Sequence, residues 1–202
     1  MLQPVEVKVK TRILKHGPGW VFTPKHFLDL GTPGSVRWSL FQLEKKKVVR
    51  RIAQGLYDYP IEHKTLGRVP PNIEAVAQAI AEKNGAKIQA SGAYAANRTG
   101  LSEQVPARAV FLTDGPPRKL KLGKLEILFK QTTVKNMAAA GSKEAMIVQA
   151  LKHIGKDHID ERMLHAAKTF LKGTTRREFE KNLKFAPQWV RSILLKLMEN
   201  EL

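Results

Sequence analysis

The chain has no cysteine. That excludes disulfides, thiolate catalysis and Cys-ligated zinc or iron–sulfur sites, and it fits a reducing cytoplasm. It has no apolar run of about 18 residues, so no transmembrane helix is expected. Glu6, Lys8, Lys10 and Arg12 crowd the start, where a secretory leader would be apolar. Aromatic residues make up only 7% of the chain. Acids are scarce as well: 18 Asp and Glu stand against 35 Lys and Arg, a net charge of +17 over 202 residues.

Catalytic constellations are missing too. No HExxH pair of metal ligands occurs. His153 and His158 do not share a helical face, and Gly155 lies between them. Gly17-Pro18-Gly19 and Gly141-Ser142-Lys143 lack the spacing of a phosphate loop. Ser91-Gly92 lacks the flanking glycines of a nucleophile elbow. Asp157, Asp160 and Glu161 read as acids at a helix N-terminus, where they oppose its dipole. No catalytic residue, metal or cofactor is expected, so the chain does not read as an enzyme.

What is present is positive charge, unevenly spread. Residues 1–68 carry 13 basic and 5 acidic side chains, a net +8. Residues 69–140 carry +5 and residues 141–202 carry +4. Such a field attracts polyanions, and counterion release favours nucleic acid. A membrane surface is not expected as a partner, because no helix pairs a basic face with exposed Trp and Phe.

The most basic third also has the clearest order of elements. Val5, Val9, Ile13 and Leu14 space out an amphipathic helix, closed by Gly17-Pro18-Gly19. Thr23-Pro24 starts a short helix with Phe27, Leu28 and Leu30 on its apolar side and Gly31 at its end. Thr32-Pro33 starts another that runs to about Lys46, with Val36, Leu40 and Leu43 as its core stripe. Val48 to Ile52 and Leu56 to Tyr59 then flank Ala53-Gln54-Gly55 as a hairpin. Helix, tight turn, helix and basic hairpin make up the signature of a winged helix-turn-helix, whose second helix enters the major groove.

On that reading Ser35, Arg37, Trp38 and Gln42 lie off the core stripe. Arg and Gln are able to pair bidentately with guanine and adenine edges. Trp38 has two readings, packing on a sugar or on the first helix. Lys45, Lys46, Arg50 and Arg51 at the hairpin base, with Gln54 at its tip, suit a phosphate or the minor groove.

Pro60 to Pro71 reads as a linker, which places the winged domain at 1–68 and a second domain at 69–202. In the second, Ile73, Val76, Ala77 and Ile80 mark a helix. Lys87 to Ala90 and Ala109 to Thr113 read as strands, and residues 119–122 and 125–129 as a hairpin around Gly123. From about residue 142 the pattern is helical, with a capping box at Thr175 and Glu178. The expected fold class is therefore α+β: a winged helix-turn-helix, then a mixed α/β domain with a small sheet and a helical C-terminal part.

Two blocks, Gly55-Leu56-Tyr57 and the stretch Ser91-Gly92 through Pro106, occur together. The second contains Ala95-x-Asn97-x-x-Gly100-Leu101-x-x-Gln104-Val105-Pro106 and is followed by Thr113-Asp114-Gly115. With the N-terminal pattern, over roughly residues 1–130, this resembles the AbiEi-like antitoxins and transcriptional regulators of bacterial abortive-infection (AbiE) systems. The resemblance implies an autorepressor that binds inverted repeats in its own promoter. It also implies a C-terminal domain that counters a nucleotidyltransferase-type toxin in a type IV system, where no stable complex is required. Asn97 and Gln104 are candidates for that second role by motif, and helix capping or strand pairing accounts for both about as well. The chain departs from the family pattern where Lys45-Lys46-Lys47 stands in place of a glycine before the wing. A stand-alone winged-helix regulator and an RNA- or ribosome-binding protein are the alternatives.

Overall fold

The computed structural model describes residues 4–123 and 125–199. It is mixed α and β, and the chain divides into two compact units, 1–84 and 85–202.

In the first unit, α1 (Val5–His16) buries Val9 and Ile13, while Leu14 faces solvent. Gly17 ends it at φ 86°. A two-residue strand follows, β1 (Val21–Phe22), which the sequence pattern did not show. The expected second helix is a single 3-10 turn, Pro24–Phe27. The Thr23 N–H donates to His26 Nδ1 (3.1 Å), which holds the entry in a tight winding. Of the expected apolar side, Phe27 is buried, Leu30 packs partly buried against the core, and Leu28 is exposed. Gly31 is needed for closeness rather than for its φ: a Cβ there would stand 2.9 Å from Val5 Cγ2 and 2.8 Å from Ser35 Oγ.

Helix α2 (Pro33–Lys45) buries Val36, Ser39, Leu40 and Leu43. These join Val9, Ile13, Phe22, Phe27, Val49 and Tyr57 in one core. The helix ends through Lys47, at φ 56° the one non-glycine residue with positive φ among those described. Its neighbour's Val48 N–H donates to the Leu43 carbonyl (2.9 Å), so Val48 and Val49 belong to the helix exit. Strand β2 (Arg50–Ala53) therefore starts later than the β-prone run implied, and β3 (Leu56–Asp58) returns after Gln54-Gly55. The sheet order is β1-β3-β2, antiparallel throughout, with Arg50 opposite Asp58 and Phe22 opposite Tyr57.

The expected linker holds a ribbon of two strands, β4 (Glu62–His63) and β5 (Gly67–Arg68). Next comes α3 (Ile73–Asn84), which belongs to this first unit. The break thus falls after Asn84 rather than after Arg68. Helix α3 buries Val76, Ala77, Ala79, Ile80 and Ala81 and packs against β1, and its end is held as Lys25 Nζ donates to the Lys83 carbonyl (2.6 Å) and Lys83 Nζ to the Gln54 carbonyl (3.4 Å).

In the second unit, β6 (Ile88–Ser91) leads into α4 (Gly92–Arg98). Then follow β7 (Arg108–Thr113), β8 (Arg118–Leu122) and β9 (Leu125–Gln131). The sheet order is β6-β7-β9-β8, with β7 and β9 parallel. The chain closes with α5 (Lys143–Ile154), α6 (Glu161–Leu171), α7 (Arg176–Leu183) and α8 (Gln188–Glu199). The Thr175–Glu178 capping box is formed at the start of α7.

Lys47 holds a left-handed conformation that costs an L-residue about 1 kcal/mol. Lys47→Gly is expected to stabilise the protein by about that amount, which raises the melting temperature by a few degrees. A melting temperature unchanged or lowered would count against this reading of the helix exit.

Candidate nucleic-acid interface

At 100° per residue, Arg37, Trp38, Phe41, Gln42 and Lys45 fall on one arc of α2 spanning about 140°. The core residues Val36, Ser39, Leu40 and Leu43 fall on the opposite side. Trp38 is 57% exposed and Phe41 47% exposed, so Trp38 does not pack on the first helix. Lys45 Nζ lies 4.8 Å from the centre of the Phe41 ring, a cation–π distance. Phe41 was missed by the sequence reading. Its position one turn beyond Arg37 on the outer arc is the signal that finds it.

The other candidates divide. Ser35 is a capping residue: its N–H donates to Thr32 Oγ1 (3.2 Å) and its hydroxyl to the Thr32 carbonyl (2.9 Å). Lys46 Nζ donates to Glu6 Oε1 (2.5 Å) while remaining largely in solvent. Arg50 turns inward. Its guanidinium donates to both carboxylate oxygens of Asp58 (3.0 and 2.5 Å) and to the Val69 carbonyl (3.0 Å). Asp58 is 1% exposed, so this pair serves the fold. Arg51 and Gln54 face outward on the same hairpin, and Gly55 takes the turn at φ 67°.

The outward set is thus Arg37, Trp38, Phe41, Gln42, Lys45, Arg51 and Gln54. It offers two guanidinium forks, an ammonium, two amides and two aromatic faces. Among acids of the same unit, Asp29 is occupied by Arg12 (2.7 and 2.6 Å), whose hydrogen bonds hold its carboxyl below the usual range. Beneath the hairpin, burial pushes the Tyr57 phenol above its ordinary 10.0; Glu44 adds to the shift and Arg51 opposes it.

In the second unit the motif residues are placed locally. Asn97 Nδ2 donates to the Ser102 carbonyl (3.3 Å), and Thr99 Oγ1 donates to the Ala95 and Ala96 carbonyls (2.8 and 3.1 Å). With Gly100 at φ 75° and Leu101 buried, this stretch closes α4. Gln104 is exposed on the loop that follows. Arg108 and Lys119 both pair with Glu126 (2.6 and 2.7 Å) and hold its carboxyl low. Among the described residues no group of three or more His, Asp or Glu could hold a metal, and no helix is long and apolar enough to cross a membrane.

Residues 8–179 match the profile of a family of unknown function, DUF6088. No curated protein matches. One solved structure to which the chain is similar is "Crystal structure of RV2827C protein from Mycobacterium tuberculosis". It is 14% identical, with a TM-score of 0.46, over 98% of this chain and 78% of that one.

Removing the Arg50 guanidinium strands a buried carboxylate, so Arg50→Ala is expected to destabilise the protein by about 3–5 kcal/mol. Arg51→Ala leaves stability within about 0.5 kcal/mol of wild type. Denaturant unfolding of the two variants checks both. The Tyr57 phenol has its pKa raised by folding, so its share of stability is complete below pH 10 and is lost as pH rises through the higher folded value. Tyr57→Phe should flatten that alkaline loss in melts taken across the range. An unchanged profile would remove Tyr57 as its cause.

Proposed function

The chain belongs to DUF6088, a family of unknown function, and we propose that it is a DNA-binding transcriptional repressor that acts on its own promoter. The observation that carries this reading is the outer arc of α2, with Arg37, Trp38, Phe41 and Lys45 exposed and Gln42 half-buried on a helix anchored by its opposite face. In support, the order helix, strand, turn, helix, hairpin and the strand order β1-β3-β2 match those of a winged helix-turn-helix.

On this reading α2 lies in the major groove. Arg37 and Gln42 read base edges, and Phe41 meets a thymine methyl. Trp38 packs on a sugar. Lys45 and Arg51 neutralise phosphates, and Gln54 approaches the backbone from the hairpin tip. The second unit, on the strength of the AbiEi-like resemblance, is proposed as an antitoxin that counters a nucleotidyltransferase-type toxin without a stable complex. Co-expression with a nucleotidyltransferase encoded beside the gene tests that half: rescue of growth supports it, and toxicity undiminished by the second unit contradicts it.

Arg37→Ala is expected to cost about 1–3 kcal/mol at the specific promoter site and little on random duplex. Lys45→Ala is expected to weaken all duplexes alike and to lower the slope of log K against log salt by about 0.9. Fluorescence anisotropy over a salt series reads both. If Arg37→Ala loses affinity equally on promoter and random DNA, α2 is not a base reader.

A further inference from the structure

The β4–β5 ribbon has no part in the reading above. Every residue from Ile61 to Arg68 is exposed, so no core lies beneath it. It is nevertheless well built. At its base the Val69 N–H donates to the Ile61 carbonyl (2.9 Å), and Arg50 donates to the Val69 carbonyl (3.0 Å). Arg68 bridges Glu62 (2.8 Å) and the Lys47 carbonyl (2.8 Å), which fastens the ribbon to the exit of α2. At its tip His63 Nδ1 accepts from the N–H groups of Thr65 (3.2 Å) and Leu66 (3.3 Å), and Gly67 turns at φ 67°.

This ordered tip presents Lys64 and Leu66, the latter 78% exposed. A lone exposed leucine is ordinary on a protein surface. Here it stands at the end of an arm whose base is fastened at Lys47. The only acid on the arm, Glu62, is already paired with Arg68. Leu66 lies in the turn, two residues toward the tip from Arg68, whose hydrogen bond to the Lys47 carbonyl joins the ribbon to the exit of α2.

The geometry points to the β4–β5 ribbon as a second DNA-contacting arm, with Lys64 on a phosphate and Leu66 in the minor groove next to the site held by α2. This rests on the reading of α2 as a groove-binding helix. Its electrostatics suit a polyanion, and its apolar tip suits sugar edges and base steps, where leucine serves as a wedge in other minor-groove binders.

The test uses the full-length protein, Lys64→Ala and Leu66→Ala, on duplex DNA from directly upstream of its own reading frame. Both side chains are exposed, so both variants should melt as wild type does. Lys64→Ala should lower the salt slope by about 0.9. Leu66→Ala should weaken binding up to about tenfold with the slope unchanged. It should also erase hydroxyl-radical protection of the flanking minor groove while protection across the α2 site persists. Wild-type affinity, slope and footprint in both variants would overturn the arm and leave the α2 reading standing. Ribbon variants that lose affinity for structured RNA but not for the duplex would overturn it as well. Failure of the wild-type chain to hold any duplex would overturn the α2 reading, and the arm with it.

Discussion

The N-terminal unit is organised around one buried carboxylate. Asp58 sits in the middle strand of its sheet, opposite Val21 on one side and Arg50 on the other, and is almost wholly removed from water. A carboxylate in that position is tolerable only when paired and hydrogen-bonded. The Arg50 fork meets that need at both oxygens and has a further hydrogen left for the Val69 carbonyl. One interaction therefore fixes the register of β2 on β3 and ties down the segment that follows. With the register set, the β2–β3 hairpin can place Arg51 and Gln54 outward, and Val49 and Tyr57 can close the core under α2.

The same unit sorts its cations by task. Arg12 and Arg50 take carboxylate partners, and Lys46 takes Glu6 at the surface. Arg68 is spent on holding the ribbon to the exit of α2. Arg37 and Arg51 remain in solvent, and Lys45 does so with its ammonium against Phe41. Arg37, Lys45 and Arg51 thus lie outward on one helix face and one hairpin, while Lys10, Lys15, Lys47 and Lys64 are exposed elsewhere on the unit. The fold leaves about half of Trp38 and of Phe41 in water on that helix face. A partner that offers both phosphates and flat apolar edges suits them together.

The periodic helices were readable in the sequence because their stripes are long: Val5 to Leu14, Val36 to Leu43 and the helices after residue 142 all stand close to where their spacing puts them. Short elements were not. β1 has two residues, too few for alternation to show. The Thr23-Pro24 signal marks a helical start correctly but cannot tell a 3-10 turn from an α-helix. The stretch after Pro60, with Gly67 and the Pro70-Pro71 pair, reads as a linker because a ribbon with no core carries no hydrophobic pattern. Arg50 and Ser35 read as surface residues, since a pairing with Asp58 depends on register and a cap on local geometry. The place of α3 in the first unit rests on its packing against β1 and on bonds among Lys25, Lys83 and Gln54, all contacts between residues distant in sequence.

The central claim is that α2 reads sequence in duplex DNA. The most direct measurement is a competition titration of the intact protein at fixed salt, with labelled duplex from directly upstream of its own gene against unlabelled random duplex and structured RNA. The account predicts that the upstream duplex is displaced only by itself at low excess, with random duplex weaker by a factor of about a thousand or more. Equal competition by random duplex, or stronger competition by the RNA, would contradict it.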